Sequence, residues 1–237
     1  MPVFDKLLSQ GATMITLHHL NNSRSQRVLW LLEELKLEYK IEFYARDKKT
    51  ILAPDSLKAI HALGKSPVIT DDATGMTLAE SGAIIEYLVQ TYGKHLMPEQ
   101  GSEAYWQYLY WLHFSEGSLM PPMVMNLVLN KMKASPMPFF IKPVAKMLAD
   151  KIVENFSGPN VKRSLDFIES HLNNKAWFCG DQLTGADIQM SFPLEASAAR
   201  GLISQANYPN IDAYVKRFHA LPAYQAGLAK GGDYDYA

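Results

Sequence analysis

The sequence predicts a small α+β domain followed by an all-helical one, and three observations carry that prediction. Residues 14–92 alternate short β-branched runs with helical patterns in the order βαβ-α-ββα. Residues 93–102 place two glycines and a proline between strongly periodic segments, which is the composition of a linker. Residues 103–237 read as helix after helix, with prolines at the breaks.

A chain of 237 residues can bury a sizeable core, as one large domain or two small ones. Hydrophobic residues make up 48% and charged residues 20%, an ordinary globular balance. A net charge of −1 gives no reason to expect a nucleic-acid or membrane-surface partner. No apolar run approaches the roughly 18 residues of a membrane span. A single cysteine, Cys179, excludes an internal disulfide framework and any Cys-x-x-Cys motif, and suits a reducing, cytoplasmic compartment. The seven histidines form no ligand-spaced cluster, so no metal site is expected. Residues 1–13 are too weakly apolar for a signal peptide and read as a loose extension before a fold that starts at Met14.

Met14 to Leu20 is the first strand, with His18 and His19 on opposite faces. Asn21-Asn22-Ser23 forms a turn and cap. The helix after it has Val28, Leu29, Leu31, Leu32 and Leu35 on one face. Tyr39, Ile41 and Phe43 alternate with polar neighbours as a half-buried strand. Thr50 to Leu63 reads as a weak helix on Leu52, Leu57 and Ile60, with Pro54 near its start. Val68-Ile69-Thr70 is a β-branched strand led by Pro67, where a missing donor is tolerated. Asp71 to Gly75 is a turn and Met76 to Leu78 the returning strand. Ser81 then opens a helix with Ile84, Ile85, Leu88 and Tyr92. With a right-handed first crossover, this order is the thioredoxin-like arrangement.

In the second half, Glu103 to Met120 is an aromatic helix buried on several sides, and Pro121-Pro122 kinks or resets it. Ser135 to Pro143, with three prolines, joins two helices, and Asn160 to Leu172 is regularly amphipathic. Thr184 and Asp187 form an aspartate version of the capping box, with Leu183 and Ile188 as the staple. The tail Lys230 to Ala237 is mixed in charge and reads as a mobile end.

The chemistry concentrates between Gly64 and Ser81. A cis Ser66-Pro67 bond would turn the Ser66 backbone outward, free to pair with an extended peptide. Ser81 stands at a helix start, where backbone N–H groups and the dipole favour an anion, and Glu80 beside it suits an ammonium. Together they fit a small peptide carrying both an α-amino and an α-carboxylate group.

Gly-Lys-Ser-Pro-Val-Ile, followed at this distance by Glu-Ser, resembles the glutathione site of the glutathione S-transferase superfamily. Gly-Asp-x-Leu-Thr-x-Ala-Asp resembles the capping segment of that family's helical domain, so the resemblance spans about Met14 to Leu221. The start Asn-Ser-Arg-Ser-x-Arg-x-Leu-Trp-Leu-Leu-Glu-Glu-Leu looks most like the bacterial and fungal branch, similar to yeast Gtt-type enzymes. The resemblance implies glutathione as co-substrate, with no metal, and Asn22, Lys65, Ser66, Pro67, Glu80 and Ser81 as its contacts. It implies transfer of the glutathione thiolate to small hydrophobic electrophiles in detoxification, and a homodimer. Peroxidase or disulfide-reductase activity through the same thiolate stays open.

A free thiol near pKa ~8.5 is mostly protonated at neutral pH, and lowering it by ~2 units takes about 2.7 kcal/mol. One hydroxyl bond to a charged acceptor supplies about 1.5–3 kcal/mol. In the serine-type branches that hydroxyl stands four residues before a helix arginine, and Arg27 puts Ser23 at that place. Asn22 and Ser25 are the nearest alternatives. The first strand has no tyrosine and the turn no cysteine for the other branch types, and Cys179 reads as a core residue. For the second substrate, Tyr108, Trp111, His113, Phe114 and Met120 are candidates among which periodicity does not choose. The alternative to an enzyme is a non-catalytic binding or regulatory protein on the same fold.

Overall fold

The computed structural model describes residues 14–47, 50 and 52–237. The extension expected over residues 1–13 lies outside the described residues. The first half is a four-stranded mixed sheet in the order β2-β1-β3-β4. Strand β1 (Ile15–Leu20) runs parallel to β2 (Tyr39–Tyr44) through the crossover helix α1 (Ser25–Glu34). On its other side β1 pairs antiparallel with β3 (Val68–Asp71), which turns into β4 (Met76–Ala79). Leu17 sits opposite Ile41 on one neighbour and Ile69 on the other. Helix α2 (Ser81–Tyr92) follows, and the whole is a thioredoxin-like domain.

Two local expectations changed. The weak helix expected over Thr50 to Leu63 is only a 3₁₀ turn, Asp55–Ala59. Pro54 precedes it in extended conformation and pushes the residue before it out of the helical region, and within the turn only Leu57 is buried. Phe43, expected on the buried face of its strand, is 61% exposed, because β2 is an edge strand that is covered only over Tyr39 and Ile41.

The second half is helical: α3 (Glu103–Phe114), α4 (Met120–Ala134), α5 (Lys142–Ile152), α6 (Gly158–His171), α7 (Gly185–Ala199), α8 (Pro209–His219) and α9 (Pro222–Gly231). A π turn at Ser115–Leu119 joins α3 to α4, so the chain passes Pro121-Pro122 with the prolines in the first turn of α4. Helix α7 is the central strut, buried from Gly185 through Ser197. Its capping box is formed by Thr184 and Asp187, and the buried Asp187 carboxylate also accepts the Phe178 N–H at 2.8 Å. Trp30 of α1 stacks on Phe218 at 5.3 Å and meets the edge of Tyr224 at 5.7 Å, which locks α8 and α9 onto the first domain.

The tail is not a free end. The half-buried Tyr234 donates its hydroxyl to the buried Glu195. The Tyr236 ring meets Phe192 edge-on at 5.8 Å, and its hydroxyl accepts from Arg200 at 3.2 Å. Among the described residues, no helix is long and apolar enough to cross a membrane.

Candidate functional site

The loop before β3 and the start of α2 meet around a cavity of about 200 Å³. Lys65, Ser66 and Pro67 come from the loop, and Glu80 and Ser81 from the helix start. These five are five of the six residues expected to contact glutathione. The Ser66-Pro67 bond is cis, and the Ser66 hydroxyl donates to the His18 carbonyl at 2.9 Å. Glu80 has φ +71°, a conformation that costs a non-glycine residue on the order of 1–3 kcal/mol. Its carbonyl accepts the first bond of α2, from Ile84 N–H at 2.9 Å, so the helix holds it there.

Arg24 and Glu116 also line this wall, with Leu63 and Ala79. Glu116 is clamped by two guanidiniums: Arg24 Nε lies 3.0 and 3.1 Å from its oxygens, and Arg27 Nη2 2.6 Å from Oε1. Arg27 is fully buried, donates also to the Ser81 hydroxyl and reaches the Gln189 carbonyl at 2.6 Å. Burial lowers the Arg27 pKa, opposed by Glu116. Burial raises Glu116, but the two guanidiniums outweigh it and hold its carboxyl below the usual range. The Ser81 oxygen accepts from Arg27, which leaves its O–H to donate to an anion, and Ser81 adds its place in the first turn of α2. The cavity carries two cations, Arg24 and Lys65, and two carboxylates, Glu80 and Glu116, a pattern that complements a zwitterionic peptide.

The turn between β1 and α1 borders this cavity. Ser23 Oγ accepts the Ser25 N–H at 3.2 Å and lies 2.7 Å from Ser25 Oγ, which lies 2.9 Å from His19 Nδ1. Burial pushes the His19 pKa down to about 4, against a bond to the Gly231 backbone, so the imidazole is neutral at neutral pH. Ser23 is 5% exposed and lines neither cavity described here, whereas its neighbours Asn22 and Arg24 do. Ser25 is wholly buried behind it. The Asn22 amide is held at both ends by the tail: Nδ2 donates to Asp235 Oδ2 at 2.8 Å, and Oδ1 accepts the Asp235 N–H at 2.9 Å.

Arg24 also lines a second, larger cavity of about 460 Å³, so the two adjoin. Its apolar wall comes from Met120, Met123 and Leu127 of α4, Phe192 of α7, and Tyr236 of the tail. Of the residues expected to meet a second substrate, only Met120 is there. Tyr108 and Trp111 are wholly buried: Tyr108 donates to Glu86 at 2.7 Å, and Trp111 packs on Phe178 at 4.7 Å. His113 and Phe114 line a separate surface groove with Trp106 and Tyr110. The physical reason is packing: Trp111 also stacks on Phe167 of α6 at 5.4 Å, so this face of α3 is core, and the cavity-facing positions fall on α4.

Sequence reasoning missed Arg24, Glu116, Phe192 and the tail. A signal existed for Glu116, in the polar stretch Ser-Glu-Gly-Ser that interrupts an aromatic helix. None existed for Phe192 and Tyr236, which are far apart in the chain. Cys179 is half-buried, and burial pushes its thiol up to about 12, so it stays protonated. Among the described residues, no group of three or more His, Cys, Asp or Glu side chains is placed to hold a metal.

A thioredoxin-like domain with a cis-proline loop and a polar helix start, closed by a helical domain, defines a peptide-thiol binding class of protein. Residues 12–90 match the family model of the glutathione S-transferase N-terminal domain, and residues 131–222 that of its C-terminal domain. The chain is 39% identical to glutathione S-transferase 1 of Saccharomyces cerevisiae, over 92% of this chain and 95% of that one. It is 38% identical to glutathione S-transferase 3 of Schizosaccharomyces pombe, over 93% and 89%. A crystal structure of a glutathione S-transferase from Actinobacillus pleuropneumoniae superposes with a TM-score of 0.74 at 35% identity, covering 93% of this chain and 94% of the other. The chain belongs to the glutathione S-transferase family.

Proposed function

We propose that this protein binds glutathione in the smaller cavity and transfers its thiolate to a hydrophobic electrophile in the larger one. The observation that carries this reading is the charge pattern of the smaller cavity, opening past Arg24 onto an apolar one. The γ-glutamyl carboxylate meets the first turn of α2 and its ammonium meets Glu80 and Glu116. The cysteinyl backbone pairs with Ser66, and the glycyl carboxylate faces Lys65. This leaves the sulfur at the turn that joins β1 to α1. There the Ser23 hydroxyl turns from Ser25 to donate to the thiolate, while Ser25 Oγ and the neutral His19 hold it in place. The thiolate forms the new bond to carbon, and the leaving group departs with its electron pair.

Glutathione titrated by calorimetry into wild type and Glu80→Gln tests the binding. Loss of a charged contact worth about 1.5–3 kcal/mol should weaken affinity roughly ten- to a hundredfold. Unchanged affinity would remove the γ-glutamyl assignment. Ser23→Ala should lower turnover at neutral pH by roughly ten- to a hundredfold, by raising the pKa of the bound thiol one to two units. Turnover should recover in part as pH rises. Asn22 is the second reading for the activating group, favoured by its place on the wall of the acceptor cavity. A pH profile shifted by Asn22→Ala and not by Ser23→Ala would choose it.

The family reading also carries a homodimer, in which the first domain of one copy meets the helices of another. In support, Gly82 and Ala83 of α2 and Leu109 and His113 of α3 line a groove between the two domains, and Trp106 and Tyr110 are exposed beside it. Sedimentation at micromolar concentration tests this, and a monomer mass would refute it. The single protonated cysteine suits a reducing, cytoplasmic location, which cell fractionation checks.

A further inference from the structure

The larger cavity is apolar on its floor but cationic around its rim. Lys131 reaches it from α4, Arg200 from the end of α7, Arg46 from the segment after β2 and Arg24 from the turn before α1. Against these stands one carboxylate on the wall, Asp235. Glu116 offsets only one of the pair Arg24 and Arg27. The wall thus carries more cations than carboxylates, around a space lined by two thioethers, two leucines, a valine and two aromatic rings.

The cations differ in what already holds them. Arg46 donates to the Asn21 and Asn22 carbonyls at 3.3 and 3.2 Å, and so fixes the turn. Arg24 is committed to Glu116. Among the described residues, Arg200 is held by Tyr236 alone, its guanidinium carbon 5.2 Å from that ring and Nη2 3.2 Å from the hydroxyl. Such a guanidinium keeps its full charge and is positioned by a residue that does not neutralise it. Lys131 stands on the exposed side of α4, one turn beyond Leu127 of the apolar floor. An anionic group between Lys131 and Arg200, with its apolar body on Met120, Met123 and Phe192, would be met by charge and by surface together.

We infer that the acceptor substrate of this protein is an amphipathic anion: an apolar, electrophilic body that carries a carboxylate or similar group. This inference rests on the transferase reading above and specifies its second substrate. The chemistry is unchanged. The glutathione sulfur forms a bond to the electrophilic carbon, chloride leaves with the bonding electrons, and the anionic group takes no part.

The test uses two acceptors of equal intrinsic reactivity. One is a chlorodinitrophenyl compound with a propanoate tail; the other has the tail capped as the primary amide. Two methylenes insulate the ring from the change, and each rate is divided by its own uncatalysed rate with glutathione. The propanoate should show the higher kcat/KM by about tenfold or more, the size of one charge-assisted contact. In Lys131→Gln and Arg200→Gln the ratio should fall toward one. Both side chains are exposed, so neither change should unfold the protein. A wild-type ratio of one or less overturns the inference. So does a raised ratio that both variants leave unmoved, because the preference then arises elsewhere. If neither acceptor is conjugated, the transferase reading fails. The inference is then decided by calorimetry with the same two compounds lacking chlorine, where tighter binding of the propanoate supports it and equal binding overturns it.

Discussion

Ser25 Oγ lies 2.9 Å from His19 Nδ1 and 2.7 Å from Ser23 Oγ, so a hydroxyl on neither cavity wall orients the one proposed to meet the thiolate. His19 gives this network a pH dependence. Its pKa falls to about 4 in the folded chain by burial, from ~6.5 when unfolded. Between those values the unfolded chain binds a proton that the folded chain refuses. The contribution is therefore present above pH ~6.5 and is lost as pH falls toward 4. Thermal melts of wild type and His19→Gln across this window should converge as the solution is acidified. A constant difference would mean that His19 does not titrate as described. Asp187 is expected to act on stability alone. Its two oxygens accept two N–H groups and one hydroxyl, at 2.8 Å each. An amide in its place must turn N–H against N–H, so Asp187→Asn should destabilise by about 1–3 kcal/mol. Lost activity with an unchanged melting temperature would show that its role is chemical.

The approach of α9 to α1 depends on a missing side chain at the scale of elements. A Cβ on Gly227 would stand 3.0 Å from the Trp30 backbone nitrogen and 3.2 Å from the Leu29 carbonyl carbon. Backbone cannot give way as a flexible side chain can, so Gly227→Ala should push α9 outward at about 1–3 kcal/mol. The tail follows α9 directly, so the same change should raise the KM for the acceptor more than that for glutathione. Denaturant melts and the two KM values check it; an alanine variant as stable as wild type would show that the helices have room. The π turn at Ser115–Leu119 has the opposite character, being an insertion and not a deletion. It sets Glu116 beside Arg24 and Arg27 and presents Met120 and Met123 to the larger cavity.

For the whole molecule, neither cavity belongs to one domain. The smaller draws Glu116 from the helical half, and the larger draws Asn22, Arg24 and Arg46 from the first half. The last five residues close the larger one, through Asp235 on Asn22 and Tyr236 on Phe192 and Arg200. A chain ending at Gly232 should bind glutathione as before but show a higher KM for the acceptor. It should also lose about 1–3 kcal/mol of stability, because the buried Glu195 loses the Tyr234 donor. Calorimetry, kinetics and melting temperature report these separately. Equal loss of both substrates would mean that the tail supports the site as a whole.

Much of this was legible in the sequence, wherever a short segment makes its own case. Val68-Ile69-Thr70, the turn at Asp71 to Gly75 and the start of α2 at Ser81 are local patterns of β-branching, turn chemistry and period. The capping box at Thr184 spans four residues, and the loop that carries Lys65, Ser66 and Pro67 lies close in sequence to Glu80 and Ser81. The thioredoxin-like order followed from these pieces alone. The failures share one cause, which is that burial and register are settled by partners distant in the chain. A 3₁₀ turn stands where Leu52, Leu57 and Ile60 suggested a helix, because in it only Leu57 found a core. Tyr108 and Trp111 carry rings that suit a substrate as well as a core, and only the packing of α6 and α7 around α3 chose the core. The tail looked polar and free, yet Tyr234 finds a buried carboxylate and Asp235 an amide 213 residues away. Periodicity reports which face of a segment is apolar; only the assembled fold says what that face touches.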